Sequence, residues 1–233
     1  MKAVILAGGM GTRISEYTKT IPKPMIKVSG KPILHRIIDH YIKYGVSEFY
    51  IALGYKGSVI KNYFKKKRFS KKIKVNLIDT GKKTMTGGRL KRLKKYLDQT
   101  FLMTYGDGLS NVNIKKLINF HKQNKKMITL TAVRPPARFG GIKLLGKKVK
   151  YFKEKSKLDE GWINGGFFVV EPEFLKLIGK KNVMLERLPM SLAVKTKSLA
   201  AYTHKGFWFC MDTLRDKKVL DSLIKNKKTP WLK

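Results

Sequence analysis

The N-terminal stretch MKAVILAGGMGTR, residues 1–13, joins a short apolar run to a glycine-rich loop. A continuous apolar run that ends at glycine, such as residues 4–6, is typical of a buried strand in a parallel sheet. Glycines allow backbone N–H groups to approach a phosphate closely. The loop matches neither of the two common glycine-rich phosphate motifs. It therefore predicts either an anion-binding loop that includes Arg13 or a tight turn that merely requires a positive φ.

Beyond this loop, apolar runs alternate with helical patterns. Further strands are predicted at residues 49–53, 75–78, 101–105 and 127–133. Between the strands, apolar residues recur at spacings of three and four, which is the pattern of amphipathic helices. These helices are predicted within residues 31–44, 59–64, 86–97 and 114–118. The alternation predicts an α/β fold with a largely parallel sheet.

The pattern changes after residue 134, where Pro135 and Pro136 interrupt it. Shorter strands are predicted at residues 141–145, 149–153 and 166–170, and a final helix at 214–224. Because no linker, repeat or low-complexity stretch divides the chain, residues 1–233 are expected to form one domain whose second half covers the first.

Three loops with several glycines follow predicted strands, at residues 8–13, 79–89 and 106–108. Ligands of open α/β sheets bind outside the carboxyl ends of the strands. If the strands are parallel, all three loops lie at that edge. The sequence therefore predicts a ligand site there.

The chain is strongly basic, with 52 Lys and Arg residues against 15 Asp and Glu and a formal net charge of +37. One interpretation is a non-enzymatic protein that binds nucleic acid or another polyanion. The other is a lysine-rich composition spread over solvated faces. Only nine of the basic residues are arginines, the residue type that nucleic-acid sites favour, and no nucleic-acid-binding module is recognisable. We favour the second interpretation and expect no nucleic-acid partner.

Cysteine usage and hydropathy predict a cytoplasmic protein without a membrane partner. The single cysteine, Cys210, allows no disulfide within the chain, and the four histidines show no metal-ligand spacing. The N-terminal apolar run is shorter than the core of a signal peptide. No stretch approaches the roughly 18–20 apolar residues that span a membrane.

Lys23 stands between two prolines in the sequence PKPM, residues 22–25. The prolines restrict the backbone on both sides, which would hold the ammonium group beside a transferring phosphate. A proline-rich surface turn would show the same pattern. The residues alone leave both interpretations open.

Two acidic residues end apolar stretches, Asp107 in TYGDG and Asp212 in FWFCMD. A carboxylate in such a place is poorly suited to packing but well suited to a hard cation such as Mg²⁺. The alternative for each is a helix N-cap, because Asn111 and Thr213 also lie near predicted helix starts.

Together these motifs resemble the sugar-1-phosphate nucleotidyltransferases. The chain contains, in order, KAVILAGGMGTR, PKPM, TYGDG, EKS, INGGFFV and MDTLRD. Within that superfamily, DTGKKTMTGGRLKR, TLTAVRPPARFGGI, GFWFCMDTLRDK and TPWLK are most similar to the glucose-1-phosphate cytidylyltransferases. The resemblance covers nearly the whole chain.

The resemblance implies a Rossmann-like, three-layer α/β/α fold of the nucleotide-diphospho-sugar transferase type, with a mainly parallel, mixed sheet. Residues 1–133 would form the nucleotide-binding half, and residues 134–233 the sugar-phosphate-binding half and the C-terminal helix. The implied reaction converts CTP and α-D-glucose 1-phosphate into CDP-glucose and pyrophosphate by Mg²⁺-dependent in-line displacement, for dideoxyhexose and surface-polysaccharide synthesis. A thymidylyl-, uridylyl- or guanylyltransferase is the nearest alternative.

The resemblance also implies roles for individual residues. The nucleotide would be held by Leu6, Ala7, Gly8, Gly9, Gly11, Thr12, Arg13, Lys23, Thr84, Arg89 and Gly106. The sugar phosphate would be held by Glu154, Lys155, Asn164 and Gly165. Arg13, Lys23 and Asp107 would be catalytic, and Asp107 and Asp212 would hold Mg²⁺.

Three features depart from the family pattern. Ser156 follows Lys155 where the family has proline, and Cys210 also replaces a proline. The segment between Phe64 and Ile73 is shorter than in the cytidylyltransferases. The additional residues that the cytidylyltransferases carry there are of a kind that often builds subunit contacts. The sequence therefore leaves open whether the protein forms a homo-oligomer.

Overall fold

The computed structural model describes residues 1–67, 69–136, 141–153, 161–179 and 182–232. The strands, in chain order, are β1 (Lys2–Leu6), β2 (Lys27–Val28), β3 (Lys31–Pro32), β4 (Glu48–Leu53), β5 (Lys74–Asp79), β6 (Phe101–Tyr105), β7 (Gly108–Ser110), β8 (Ile128–Val133), β9 (Gly141–Leu145), β10 (Lys148–Lys153), β11 (Ile163–Val170), β12 (Leu199–His204) and β13 (Trp208–Cys210). The α-helices are α1 (Ser15–Thr18), α2 (Ile33–Lys43), α3 (Gly57–Lys66), α4 (Thr86–Arg92), α5 (Ile114–Asn124), α6 (Leu188–Lys195) and α7 (Leu214–Lys225). Short 3₁₀ helices lie at Thr12–Ile14, Lys23–Met25, Lys94–Tyr96, Pro172–Ile178 and Pro230–Leu232.

The central sheet has the strand order β12-β8-β11-β6-β1-β4-β5. The pairs β1–β4, β1–β6, β4–β5 and β8–β12 are parallel. Strand β11 runs antiparallel to both of its neighbours, β6 and β8. The expected mainly parallel, mixed sheet is therefore confirmed, and the C-terminal part of the chain contributes β11 and β12 to it.

Both faces of the sheet are covered, because successive side chains of a strand point to opposite sides. In β1, Ala3 and Ile5 belong to one buried cluster, together with side chains of α2 and α5. Val4 and Leu6 belong to a second cluster, together with side chains of α4 and of the 3₁₀ helix Pro172–Ile178. The chain therefore forms three layers, with helical elements on either side of one sheet.

The structure confirms the predicted strands and contains further elements that the sequence patterns did not predict, among them strand β12 and helix α6. Strand β12 lies at the edge of the sheet and has no fully buried residue, so its apolar alternation is weak. Helix α6 buries only Pro189 and Ala193 and exposes Leu188 and Val194, so it lacks an apolar stripe. The helix predicted over residues 86–97 ends at Arg92 and continues as a 3₁₀ turn. In the described residues, no helix combines the length and the apolar character needed to cross a membrane.

Because of a buried histidine in α2, we expect the protein to become less stable in weak acid. His40 Nε2 lies 3.0 Å from the Val112 carbonyl oxygen, and burial lowers the pKa of His40 to about 4. Between the ordinary histidine pKa of about 6.5 and this value, the unfolded chain binds a proton that the folded chain does not. We expect the free energy of unfolding to fall by about 2–3 kcal/mol between pH 7 and pH 4.5 through this residue, at about 1.4 kcal/mol per pKa unit.

Urea denaturation at both pH values, in the wild type and in His40→Gln, checks this expectation. The glutamine amide can donate to the Val112 carbonyl but does not titrate, so the variant should lose about 2–3 kcal/mol less between pH 7 and pH 4.5. An equal pH dependence in the two proteins would contradict the role of His40.

Candidate active site

A cavity of about 390 Å³ opens where β1, β5 and β6 end. All three glycine-containing loops contribute to its wall, so the predicted convergence of the loops is confirmed. Every residue that the resemblance assigns to the nucleotide lines it: Leu6, Ala7, Gly8, Gly9, Gly11, Thr12, Arg13, Lys23, Thr84, Arg89 and Gly106. Their binding of a nucleotide stays a prediction, but their grouping in one cavity is a property of the fold.

The glycine loop needs its glycines for backbone reasons. Gly11 has φ 64°, in the left-handed region that favours glycine, and its carbonyl accepts a hydrogen bond from Ile14 N at 3.1 Å. A Cβ at Gly8 would lie 2.2 Å from Arg89 Nη1, so only glycine allows that close approach. The tight turn with a positive φ is therefore present, and it lies in the wall of a cavity that could receive an anion.

Arg89 is buried behind this loop. Its guanidinium donates to Gly8 O at 2.8 Å, to Leu53 O at 2.9 Å, to Thr80 Oγ1 at 2.8 Å and to Gly81 O at 2.8 Å. Burial, with a contribution from the nearby Arg92, lowers its pKa. Arg89 thus ties together the end of β4 and the loops that follow β1 and β5. These contacts describe a positioning residue, whereas direct contact of Arg89 with a nucleotide stays a prediction.

Arg89→Lys is expected to lower the free energy of unfolding by about 2–4 kcal/mol, because an ammonium cannot reach several diverging acceptors and leaves buried carbonyls unsatisfied. Urea denaturation measures the loss. Arg92→Lys is the matched control: Arg92 is an exposed arginine of the same helix, with a hydrogen bond to Thr80 O. If both variants were equally stable, Arg89 would not hold the loops together.

Four charged side chains meet at one end of the cavity. Lys23 Nζ lies 2.6 Å from Asp107 Oδ2 and 2.5 Å from Asp212 Oδ1. Arg13 Nη1 lies 2.7 Å from Asp212 Oδ2. The Arg13 side chain is 71% exposed, so water screens that ion pair, while the side chains of Lys23 and Asp212 are only 10% and 12% exposed.

The ion pairs shift the pKa values of the inner two groups. Burial opposes the charge of Lys23, but the negative charge of Asp107 and the hydrogen bonds to Asp107 and Asp212 outweigh it and raise the Lys23 pKa. Burial also opposes the charge of Asp212, yet Lys23 and Arg13 lower the Asp212 pKa. Both groups therefore stay charged across the neutral range.

Two separate parts of the chain bring the aspartates together. Asp107 lies between β6 and β7, and the antiparallel pairing of β7 with β13 places Asp212 beside it. Met211 N donates to Asp107 O at 2.9 Å and fixes this approach. Helix α7 is capped by Thr213 in a capping box with Asp216. Helix α5 is capped by Asn113, so the N-cap interpretation is wrong for both aspartates.

The surface-turn interpretation of PKPM is also wrong. Residues Lys23–Met25 form a 3₁₀ turn in which all three residues are buried. The turn follows Pro22, whose extended backbone directs the chain inward, and Met25 N donates to Pro22 O at 2.8 Å. The prolines thus fix the backbone from which the Lys23 ammonium reaches the two aspartates.

The donor set fits a divalent cation. Asp107, Cys210 and Asp212 offer ligand atoms within 4.8 Å of one another. The two carboxylates are the hard oxygen ligands that such cations prefer. Burial and the charge of Asp107 raise the pKa of the Cys210 thiol, so the sulfur stays protonated and is a poor ligand for a hard cation. Asp107 and Asp212 are therefore the residues that could hold a metal ion.

A second cavity of about 330 Å³ shares Arg13, Tyr105 and Asp107 with the first. Asn164 and Gly165, which the resemblance assigns to the sugar phosphate, line this second cavity. Trp208 Nε1 donates to Gly165 O at 2.7 Å and holds the strand in place. The charged cluster thus lies where two cavities meet. Glu154 and Lys155, assigned to the same ligand, lie outside the described residues.

Tyr105, Trp208 and Glu186 are among the lining residues of these cavities that the sequence reasoning missed. Tyr105 lines both cavities, and its position directly before the GDG motif was an available signal. Trp208 lies in the GFWFCMDTLRDK motif and lines the smaller cavity. Glu186 lies in a turn and had no recognisable sequence signal. Its carboxylate accepts hydrogen bonds from Tyr105 Oη at 2.5 Å and from Thr86 Oγ1 at 2.7 Å, and these bonds hold it at the cavity.

Comparisons with known proteins agree with this arrangement. Residues 2–214 match the model of the family described as "Nucleotidyl transferase". The chain is 45% identical to a glucose-1-phosphate cytidylyltransferase of Salmonella typhimurium, over 99% of this chain and 98% of that protein. It is 30% identical to mannose-1-phosphate guanylyltransferase 1 of Arabidopsis thaliana, over 99% of this chain and 67% of that protein.

Among solved structures, HddC from Yersinia pseudotuberculosis, complexed with GMP-PN, superposes with a TM-score of 0.75. The two proteins are 25% identical, and the match covers 96% of this chain and 99% of that one. The mixed sheet with helices on both faces is therefore the nucleotide-diphospho-sugar transferase fold, as the sequence motifs predicted. With this fold, and with a family match over most of its length, the chain belongs to the nucleotidyl transferase family.

Proposed function

We propose that the protein transfers a cytidylyl group from CTP to α-D-glucose 1-phosphate and releases CDP-glucose and pyrophosphate. The observation that carries this proposal is the cluster of Arg13, Lys23, Asp107 and Asp212 where two cavities meet. The choice of cytosine and glucose rests on the similarity to the Salmonella glucose-1-phosphate cytidylyltransferase. A role in dideoxyhexose and surface-polysaccharide synthesis would follow from that product.

In this proposal, each cavity receives one substrate. The larger cavity takes the nucleotide, with the glycine loop and Arg13 beside its phosphates. The smaller cavity takes the sugar phosphate, with Asn164 and Gly165 in its wall and with Glu154 and Lys155 as further ligands. The reacting phosphorus then lies near Lys23, which lines the larger cavity and contacts both aspartates.

The reaction needs no general base, because the attacking oxygen of glucose 1-phosphate is already an anion. A lone pair of this oxygen forms the new bond to the α-phosphorus of CTP. At the same time the bond between the α-phosphorus and the oxygen that bridges to the β-phosphate breaks, and its electrons leave with pyrophosphate. The barrier comes from one anion approaching another and from the charge that grows on the leaving group. Lys23 offsets the charge on the attacking side and Arg13 on the leaving side, so catalysis is by positioning and electrostatic stabilisation.

Asp107 and Asp212 would hold Mg²⁺ during this step. The bound cation would act as a Lewis acid on phosphate oxygens. Lys23 already lies between the two carboxylates and Arg13 pairs with Asp212, so these two cations offset the two negative charges when substrates are absent.

A pyrophosphate-release assay with ATP, CTP, GTP, UTP and dTTP, each against glucose 1-phosphate and mannose 1-phosphate, tests the proposal. We expect CTP with glucose 1-phosphate to have the highest kcat/KM of the ten pairs. The highest value for GTP, UTP or dTTP would instead identify a related nucleotidyltransferase. If no pair released pyrophosphate, the enzymatic proposal would be wrong.

A further inference from the structure

A cavity of about 620 Å³, larger than either cavity of the candidate active site, is lined by residues of the segment that also carries Arg13 and Lys23. We call it the rear cavity. Its walls are formed by residues 17–30, by α3 and by α7. Its volume lies within the range of roughly 300–1,000 Å³ that small-molecule sites occupy.

The inner wall of the rear cavity is apolar. Ile21, Met25 and Val59 contribute aliphatic surface, and the rings of Tyr17 and Tyr63 flank it. Such a wall suits the apolar or aromatic body of a small molecule, because burial of that body removes apolar surface from water.

The rim of the rear cavity carries an excess of positive charge. Lys27, Lys66 and Lys217 line it, against the single carboxylate of Asp221. That carboxylate is already bound by Lys217 Nζ at 2.6 Å and by Ser29 N at 2.7 Å. Among the residues that the structure describes, Lys27 and Lys66 form no ion pair. The rim is therefore complementary to an anionic group on a ligand whose body fills the apolar wall.

The elements that line the rear cavity also carry the charged cluster of the active site. Tyr17, Ile21 and Met25 belong to the segment that holds Arg13 and Lys23. Lys217 and Asp221 belong to α7, whose first residue is two positions after Asp212. A ligand bound between this segment and α7 would contact both, so its binding would favour one distance between them over others.

We infer that the rear cavity binds a small organic phosphate with an apolar or aromatic body, and that its binding alters the ion pairs of Arg13 and Lys23 with Asp212. The binding step does not depend on the proposed function. The coupling step does depend on it, because turnover is its readout. The ligand's body is either an aromatic base, as in a nucleoside monophosphate, or an alkyl chain, as in a lipid phosphate.

Binding is tested first with the aromatic anion 8-anilinonaphthalene-1-sulfonate, followed by fluorescence, on the full chain. Lys66→Glu reverses a charge at the rim, and Lys65→Glu makes the same change at an exposed neighbour on α3 that does not line the cavity. We expect saturable binding whose Kd rises about 5–10-fold in Lys66→Glu and less than twofold in Lys65→Glu. Equal affinities of the two variants would overturn the inference.

Displacement of the probe then distinguishes the two sources of the phosphate. Decyl phosphate and uridine 5′-monophosphate are titrated separately against the probe bound to Lys65→Glu and to Lys66→Glu. Displacement by one of them, at a lower concentration in Lys65→Glu than in Lys66→Glu, supports the site and identifies the class of its ligand. If neither compound displaced the probe, or if both variants responded alike, the organic-phosphate ligand would be excluded.

The coupling is tested by pyrophosphate release at saturating concentration of the displacing compound. We expect kcat or the KM for CTP to change at least twofold in Lys65→Glu and to stay constant in Lys66→Glu. Probe displacement without any change in turnover would confirm the site and overturn the coupling. A protein that bound the probe but released no pyrophosphate from any nucleotide would instead contradict the proposed function.

Discussion

Replacing Lys23 by methionine is expected to lower kcat for the proposed reaction about 10²–10³-fold, the range seen when one preorganised electrostatic group is removed from an active site. Lys23 Nζ contacts both Asp107 and Asp212, and its burial keeps its charge from being screened by water. Methionine retains most of the apolar stem and removes the charge alone. Steady-state pyrophosphate release from CTP and glucose 1-phosphate measures the loss.

Thermal denaturation separates this effect from unfolding. Without the ammonium, the carboxylates of Asp107 and Asp212 face each other, so we expect the Tm of Lys23→Met to be lower in the absence of divalent cations. Added MgCl₂ should then raise that Tm more than it raises the wild-type Tm, because a cation can replace the missing charge. Lys19→Met, at an exposed lysine of the same segment, should behave as the wild type. Normal turnover by Lys23→Met would remove Lys23 from the mechanism.

The sequence predicted those parts of the site that follow strands directly. The glycine loop, Asp107 and Asp212 each come after an apolar run, and the rule that ligands bind beyond the carboxyl ends of parallel strands groups such residues. The position of Lys23 could be proposed because prolines restrict its backbone, but only the structure shows that the side chain is buried between the aspartates.

Other parts of the site depend on contacts between distant residues and leave no local pattern. The motif that contains Arg89 indicated only a nucleotide ligand, whereas the positioning role of its side chain comes from carbonyl groups in separate parts of the chain. Glu186 contacts residues that are 81 and 100 positions away along the chain. The edge strand β12 was missed for a related reason, because a strand without fully buried residues shows little alternation.

Asp107→Asn is expected to lower kcat about 10²-fold, because the amide keeps the shape of the side chain but loses the negative charge that would hold the cation. The MgCl₂ concentration that gives half-maximal activity should rise in the same variant. Asp98→Asn is the control, since Asp98 is an exposed aspartate that pairs with Lys2. Near-normal turnover at low MgCl₂ would exclude Asp107 from the metal site.

A double variant decides whether the cation and Lys23 act through one cluster. In the wild type, Asp107 contacts Lys23 at 2.6 Å, and residues in direct contact show non-additive effects when both are changed. If the two groups act as a unit, Lys23→Met/Asp107→Asn should lose little more activity than Lys23→Met alone, as catalytic residues that work together do in other enzymes. If the losses multiplied instead, the ammonium and the carboxylate would stabilise the transition state independently, and the ion pair between them would serve only to hold the empty site together.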